Sequence, residues 1–147
     1  MAVQSTYREE ILEAVAGQIA DMTPATLMSR TVETAAGIGF GIAVEQGTAD
    51  KGCILFDGGT VLGVTVRERS LDANDPDEFA QYAEARVMTK GTVWVVCTSG
   101  CSAGDAVWVR PSNNTFQDDN SNSAVQIAGA RWDTSAEAGA LAIVRMG

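Results

Sequence analysis

The fold is decided by the stretch Phe56-Asp-Gly-Gly-Thr-Val-Leu-Gly-Val-Thr-Val-Arg-Glu-Arg-Ser-Leu-Asp72. It begins with a turn, because residues 57–59 are an Asp-Gly-Gly sequence that accepts positive φ. Three aliphatic residues then follow at every second position: Leu62, Val64 and Val66. A period of two predicts a strand with one face buried and the other face in water.

The same pattern recurs along the whole chain. Fifteen glycines separate short runs that are rich in β-branched residues, which is typical of an all-β fold with many turns. Strands are predicted near Ser29–Thr34, Gly39–Glu45, Gly52–Phe56, Val61–Ser70, Ala85–Lys90, Thr92–Thr98, Ala106–Arg110, Val125–Trp132 and Leu141–Met146. Two exposed turns are predicted around Phe116, within Ser112–Ser123, because the stretch is rich in Asn, Asp and Ser. We therefore expect an all-β domain, either a compact β-barrel or a β-sandwich.

Residues 1–28 are predicted to form an N-terminal arm, and residues 29–147 the β domain. The spacing of aliphatic residues favours an amphipathic helix over residues 7–21, which Pro24 would end, whereas Gly17 weakens it. The arm is thus expected to be extended or partly helical. Its apolar residues have no evident partner in a small β domain and are candidates for binding another protein: Tyr7, Ile11, Leu12, Val15, Ile19 and Met22. A second helical turn is predicted at Asp77–Ala83, after Asp75 and Pro76.

Length and charge limit the function classes. A chain of 147 residues suits one domain. With 10 basic and 19 acidic residues the net charge is −9, so the surface should repel phosphate and nucleic-acid binding is not expected. No apolar run is long enough to cross a bilayer, so no membrane partner is expected. The acidic N-terminus does not resemble a secretory leader, which predicts synthesis in a cytoplasm.

The sequence offers no catalytic set, metal site or cofactor site. Histidine, the commonest general base and neutral metal ligand, is absent. Gly37–Gly41 lacks the spacing of a phosphate loop and is better explained by a bend or close backbone packing. Lys90 fits an exposed strand end better than a carrier lysine. Residues 67–70, Arg-Glu-Arg-Ser, are predicted as a charged strand edge, since no partner group completes a phosphate site.

The three cysteines predict thiol chemistry without metal. Cys97 and Cys101 are separated by three residues, with Gly100 where such a hairpin loop requires positive φ, so a disulfide between them is possible. A C-x₃-C pair without a second ligand pair does not predict zinc. Cys53 is expected either as a small buried residue or as a thiol at a subunit contact.

Several of these motifs, in their order along the chain, carry a family resemblance. They are Ser29–Thr34, Gly37–Gly41, Val44–Gly52, Phe56–Asp72, Val87–Gly91, Gly104–Val107 and Ala130–Ser135. From about Gly17 to the C-terminus the chain resembles the structural cement proteins of tailed-bacteriophage heads. The resemblance implies a non-enzymatic decoration protein of the virion. It further implies a homotrimer on the outside of the mature head, at local three-fold positions, whose arms clamp adjacent copies of the major capsid protein.

Two other functions remain open on the sequence alone. A virion host-contact or adhesion module could use the same fold, with its site in the loops of Ser112–Ser123. A small trimeric hydrolase is the third alternative, and turnover of a nucleotide substrate would support it.

Overall fold

The computed structural model describes residues 14–68, 77–111 and 113–147. This part of the chain contains eleven strands and one short 3₁₀ turn at Ser121–Ser123. The strands are β1 (Thr26–Val32), β2 (Ile38–Gly39), β3 (Ala43–Gln46), β4 (Gly52–Leu55), β5 (Val61–Thr65), β6 (Glu78–Phe79), β7 (Glu84–Cys97), β8 (Ala106–Arg110), β9 (Thr115–Gln117), β10 (Val125–Trp132) and β11 (Ala140–Met146).

Strand β7 organises the fold because two closed rings of five strands share it. Its first half belongs to the ring β1–β4–β3–β5–β7, which the antiparallel pairing of β7 with β1 closes. Its second half belongs to the ring β7–β11–β10–β8–β9, closed where Cys97 lies opposite Phe116 in a parallel pairing. Gly91 lies between the halves with φ +127°, a conformation that glycine adopts without strain. Strands β2 and β6 form a separate two-stranded sheet.

The larger core is filled by side chains at alternate positions along the strands. On β7, Val93, Val95 and Cys97 are fully buried, whereas the residues between them are more exposed. The core continues over β8, β10 and β11 and reaches one face of the first ring through Phe56 and Val64. A second core joins strands of the first ring to the small β2–β6 sheet. Its members are Val32, Ile38, Phe40, Val44, Cys53, Phe79, Ala85 and Val87.

The all-β prediction is confirmed, and the barrel is the architecture adopted. The predicted bounds of β8 and β10 agree with the structure. The two strands predicted at 85–90 and 92–98 are one continuous strand, β7, because Gly91 does not interrupt it. The region predicted as two turns around Phe116 contains β9, which completes the second ring.

Helix predictions on the described residues are wrong. Residues 77–83 contain β6 and a turn, because Phe79 and Glu78 pair with β2. Residues 14–21 are extended, with a turn at 16–17. The predicted boundary between residues 28 and 29 falls inside β1. Residues 26–28 of the predicted arm are therefore part of a strand of the sheet, and residues 7–13 of the predicted helix lie outside the described residues.

Candidate functional site

The described part of the N-terminal segment extends the sheet along β7. Ile19 lies opposite Val93 in an antiparallel bridge. The Gly17 N–H donates to the Trp94 carbonyl at 2.7 Å, and the Trp94 N–H donates to the Gln18 carbonyl at 2.9 Å. A third bond, 3.1 Å long, joins the Ala20 N–H to the carbonyl of Thr92. Pairing with β7 thus satisfies backbone groups that a helix would have paired locally. This explains why the helix predicted from the spacing of the aliphatic residues does not form over the described residues.

Arg67 ties the same segment to the first ring. Its backbone N–H donates to the Gly17 carbonyl at 2.7 Å, and its Nε donates to the Ala16 carbonyl at 3.2 Å. The guanidinium also lies 4.8 Å from the ring centre of Phe40 and 2.8 Å from a carboxylate oxygen of Asp77. Arg67 is therefore occupied by structural contacts, so its position argues against the phosphate-binding alternative; Arg69 and Ser70 lie outside the described residues.

Asp21 holds the next residues of the segment. Its Oδ1 accepts hydrogen bonds from the Thr92 hydroxyl at 2.7 Å and from the Thr23 N–H at 2.8 Å. Hydrogen bonds from Thr23 and Thr92 lower the pKa of Asp21 to about 2. Because Thr92 is buried in β7, this carboxylate joins the segment to the core of the fold.

The fixed segment exposes apolar side chains. Five large apolar side chains are exposed in the described part of the chain, and three of them lie here: Val15, Ile19 and Met22. Met22 is fully exposed, and the other two are each 36% exposed. We call these three residues the N-terminal apolar group. Three of the six arm candidates are thus placed, whereas Tyr7, Ile11 and Leu12 lie outside the described residues.

A second apolar surface lies on the outer side of the barrel. Trp94 and Val96 of β7 lie opposite Ile143 and Leu141 of β11. Val96 is 42% exposed, and the other three are half-buried. We call these four residues the β7–β11 outer face. The sequence carried a signal for it, since alternation within the run 92–96 places Trp94 and Val96 opposite the buried Val93 and Val95 side chains.

The cysteines are buried free thiols. Gly100 has φ +86° as predicted, but the predicted hairpin is wrong. Cys101 pairs with Ala136, and Cys97 pairs with Ala140 and Phe116, so the two cysteines end different pairings. Cys101 Sγ donates to the Thr134 carbonyl at 3.5 Å, and the two thiols are near enough to affect each other's pKa. Burial, followed by the neighbouring Cys101 thiol, raises the pKa of Cys97 to about 12, and burial also raises the pKa of Cys101. Whether they form a disulfide stays a prediction.

Cys53 belongs to the second core, where it has no exposed surface. Burial and the nearby carboxylate of Glu33 raise the pKa of its thiol to about 11. This position fits the predicted small buried residue and argues against a thiol at a subunit contact.

The glycines of residues 37–41, which lack the spacing of a phosphate loop, have a role in packing. Gly37 and Gly41 have positive φ and lie against neighbouring backbone, as expected for close packing. Over residues 14–68, 77–111 and 113–147, no group of three or more His, Cys, Asp or Glu residues could hold a metal ion. The same residues contain no helix long and apolar enough to cross a membrane.

Comparisons with known proteins identify the family. In the solved capsid of the Myoviridae phage XM1, one chain superposes with a TM-score of 0.79 at 16% identity, covering 100% of this chain and 98% of that one. The head fibre gp8.5 N base of bacteriophage phi29 gives a TM-score of 0.53 at 11% identity, covering 84% and 95%. These two likenesses concern the fold. No curated protein matches the sequence significantly. The family model described as structural cement protein (E217 gp24/Pam3 gp6) matches residues 3–147, and the chain therefore belongs to the phage structural cement protein family.

Proposed function

We propose that this cement protein binds the outside of the mature phage head and stabilises contacts between subunits of the major capsid protein. The observation that carries the proposal, beside the family, is the N-terminal apolar group. Val15, Ile19 and Met22 are exposed in a segment that is attached to β7 by backbone hydrogen bonds of residues 17, 18 and 20. Exposed apolar side chains on a rigid support lose little conformational entropy on binding, which favours a protein contact.

Tyr7, Ile11 and Leu12 are proposed to contribute to the same attachment. They precede the N-terminal apolar group in the chain and supply further apolar area. The surface that they are proposed to bind is that of the capsid subunits on the exterior of the virion. Synthesis is proposed to take place in the host cytoplasm.

The protein is further proposed to act as a homotrimer. The β7–β11 outer face supports this assembly, because Trp94, Val96, Leu141 and Ile143 form an uncharged surface on an otherwise acidic protein. Three linked copies bind a lattice far more tightly than one copy, provided that the spacing of the lattice matches that of the trimer. A trimer that fits the mature shell better than its precursor stabilises the mature shell by linkage.

A binding experiment with purified heads that lack the protein tests the proposal. Wild type should decorate the outside of the heads, as seen by electron cryomicroscopy, and should raise their temperature of disruption. The full-length triple variant Val15→Ser, Ile19→Ser, Met22→Ser should bind at least about 30-fold more weakly. The double variant Ile11→Ser, Leu12→Ser measures the contribution of the preceding residues.

Matched substitutions make the result specific. Ala103→Ser and Ala138→Ser change exposed apolar residues on loops of the second ring and should leave binding unchanged. Circular dichroism should show the same fold for every variant. Wild-type protein that fails to associate with expanded heads, or that is found only inside them, would contradict the proposal.

A further inference from the structure

Tyr82 has a backbone conformation that its side chain disfavours. The Ala83 N–H donates to the Ala80 carbonyl at 3.0 Å, which closes a β-turn with Tyr82 as its third residue. Tyr82 has φ +68°, in the left-handed region that glycine and asparagine occupy most readily at this position of a turn. An aromatic residue there is an outlier and costs on the order of 1 kcal/mol or more.

The fold itself does not need the aromatic ring. Backbone bonds hold the turn, since the Tyr82 N–H donates to the Val32 carbonyl at 2.7 Å and the Val32 N–H donates to the Ala83 carbonyl at 2.9 Å. Tyr82 is 75% exposed, so it contributes little to either core. Glycine or asparagine would form the same turn with less strain. A strained, exposed aromatic residue on a rigid turn indicates a binding function, because tyrosine is enriched where interfaces concentrate their energy.

Fixed negative charges beside the turn indicate the chemistry of the partner. Glu84 accepts hydrogen bonds from the hydroxyls of Ser29 and Thr31, each 2.7 Å long, and these bonds lower its pKa. Glu33 accepts from the N–H groups of Thr48 and Ala49 at 2.7 and 2.8 Å, which lowers its pKa as well.

Neutral groups hold both carboxylates, and neither forms an ion pair within the described ranges. Three basic residues lie near this end of the ring. Arg30 pairs with Ala85, the residue after Glu84, and the Lys51 carbonyl accepts a hydrogen bond from the Thr31 N–H. Arg86 lies 3.9 Å from a different carboxylate, that of Glu68. The two carboxylates closest in sequence to the turn and its Val32 partner thus keep their charge available for a positively charged surface.

We propose that Tyr82 is an anchor residue that enters an apolar pocket with a basic rim on the protein shell. This inference rests on the proposed function and adds a second contact, separate from the N-terminal apolar group. It assigns the end of the first ring that carries the 80–83 turn to the shell-facing side. The rim of Lys or Arg side chains faces Glu33 and Glu84, and the ring of Tyr82 supplies apolar contact and a hydroxyl.

Opposite effects on stability and binding form the main test. Tyr82→Gly should raise the melting temperature of the free protein by about 2–4 °C, because strain relief exceeds the entropy that glycine loses. The same variant should bind heads about 30-fold more weakly. Ser123→Gly is the matched control, since Ser123 is exposed at φ +62° on a loop of the second ring. It should raise the melting temperature similarly and leave binding unchanged.

Iodination and salt dependence provide independent readouts. Tyr82 should be iodinated in the free protein and protected on decorated heads, with peptides resolved by mass spectrometry. Glu84→Gln should bind more weakly than wild type at low salt and lose part of the salt dependence, because one charge pair with the rim is removed.

The outcomes separate this inference from the proposed function. If wild type binds heads while Tyr82→Gly binds equally well and Tyr82 stays reactive on heads, the anchor is overturned and the proposed function stands. If Tyr82 becomes protected in the free oligomer without heads, the partner is a second copy and the shell assignment is overturned. If wild type does not bind heads at all, the proposed function fails and the anchor fails with it.

Discussion

Gly17 and Gly41 lie backbone against backbone. A Cβ on Gly17 would lie 2.8 Å from the Gly41 nitrogen, and a Cβ on Gly41 would lie 2.7 Å from the Gly17 nitrogen. Both residues have positive φ, at +84° and +70°. This crossing brings the N-terminal segment onto the first ring and leaves no space for any side chain at either position.

Gly17→Ala and Gly41→Ala should each destabilise the protein by more than the strain of an alanine at positive φ alone would. Strain at positive φ costs about 1–3 kcal/mol, and the backbone clash adds to it. Gly104→Ala is the control, because Gly104 also has positive φ, +96°, but has no atom within 4 Å of the added Cβ. Urea denaturation measures all three variants. Equal losses in the three would show that the contact between Gly17 and Gly41 contributes nothing.

Asp21 should make stability depend on acid pH. Its pKa in the folded protein is about 2, below the unfolded value near 3.9, so the ionised carboxylate stabilises the fold above pH ~4. That contribution is lost as the pH falls through about 2. Asp21→Asn should therefore melt below wild type at pH 7, and the difference should vanish near pH 2.

Asp50→Asn removes one exposed negative charge elsewhere and serves as the control for net charge. Its melting temperature relative to wild type should not follow the same pH profile. A difference between wild type and Asp21→Asn that persists unchanged down to pH 2 would contradict the role assigned to the bonds with Thr23 and Thr92.

Local sequence patterns predicted the strands well where alternation and turn residues agree, as in β8 and β10. They failed where pairing overrides local preference. Asp75 and Pro76 resemble a helix start, yet pairing with β2 draws Glu78 and Phe79 into β6. Strand β9 has three residues between polar loops, too few for a period to be recognised. Its place is determined by its neighbours β7 and β8.

The sequence pointed to the apolar residues of the candidate site, but not to the way in which the fold holds them. Apolar residues without a partner were recognised in the sequence, and Val15, Ile19 and Met22 are indeed exposed. Their attachment to β7 could not be predicted, because it depends on bonds between residues more than seventy positions apart. Likewise, nothing in the composition of the 80–83 turn shows that Tyr82 has positive φ. The family match confirms the predicted structural, non-enzymatic class of phage capsid-associated protein.

Cys97 and Cys101 should form a disulfide slowly. Their side chains are near enough to affect each other's pKa, but burial raises both thiol pKa values, that of Cys97 to about 12, so little thiolate is present at pH 7. Oxidised glutathione should convert the pair by two exchange steps, which release two molecules of reduced glutathione, faster at pH 9 than at pH 7. The bond should stabilise the protein by at most about 2 kcal/mol.

Peptide mapping of virions with and without reductant checks this pairing, and a Cys53→Ala variant should give the same bond. Alkylation of both thiols within minutes under native, oxidising conditions would contradict their burial. A bond from either residue to Cys53 or to another chain would contradict the local pairing and favour covalent cross-linking of the shell.

The β7–β11 outer face should hold the proposed trimer together. Val96→Glu places a charge among Trp94, Leu141 and Ile143, where desolvating it without a partner opposes association. Light scattering should show trimers for wild type and monomers for the variant, with an unchanged circular dichroism spectrum. Gln126→Glu adds the same charge at an exposed position on β10 and should remain trimeric. If Val96→Glu also remains trimeric, the subunits meet through another surface. A wild-type protein that is monomeric both in solution and on heads, without contacts about a three-fold axis, would remove the trimer from the proposed function.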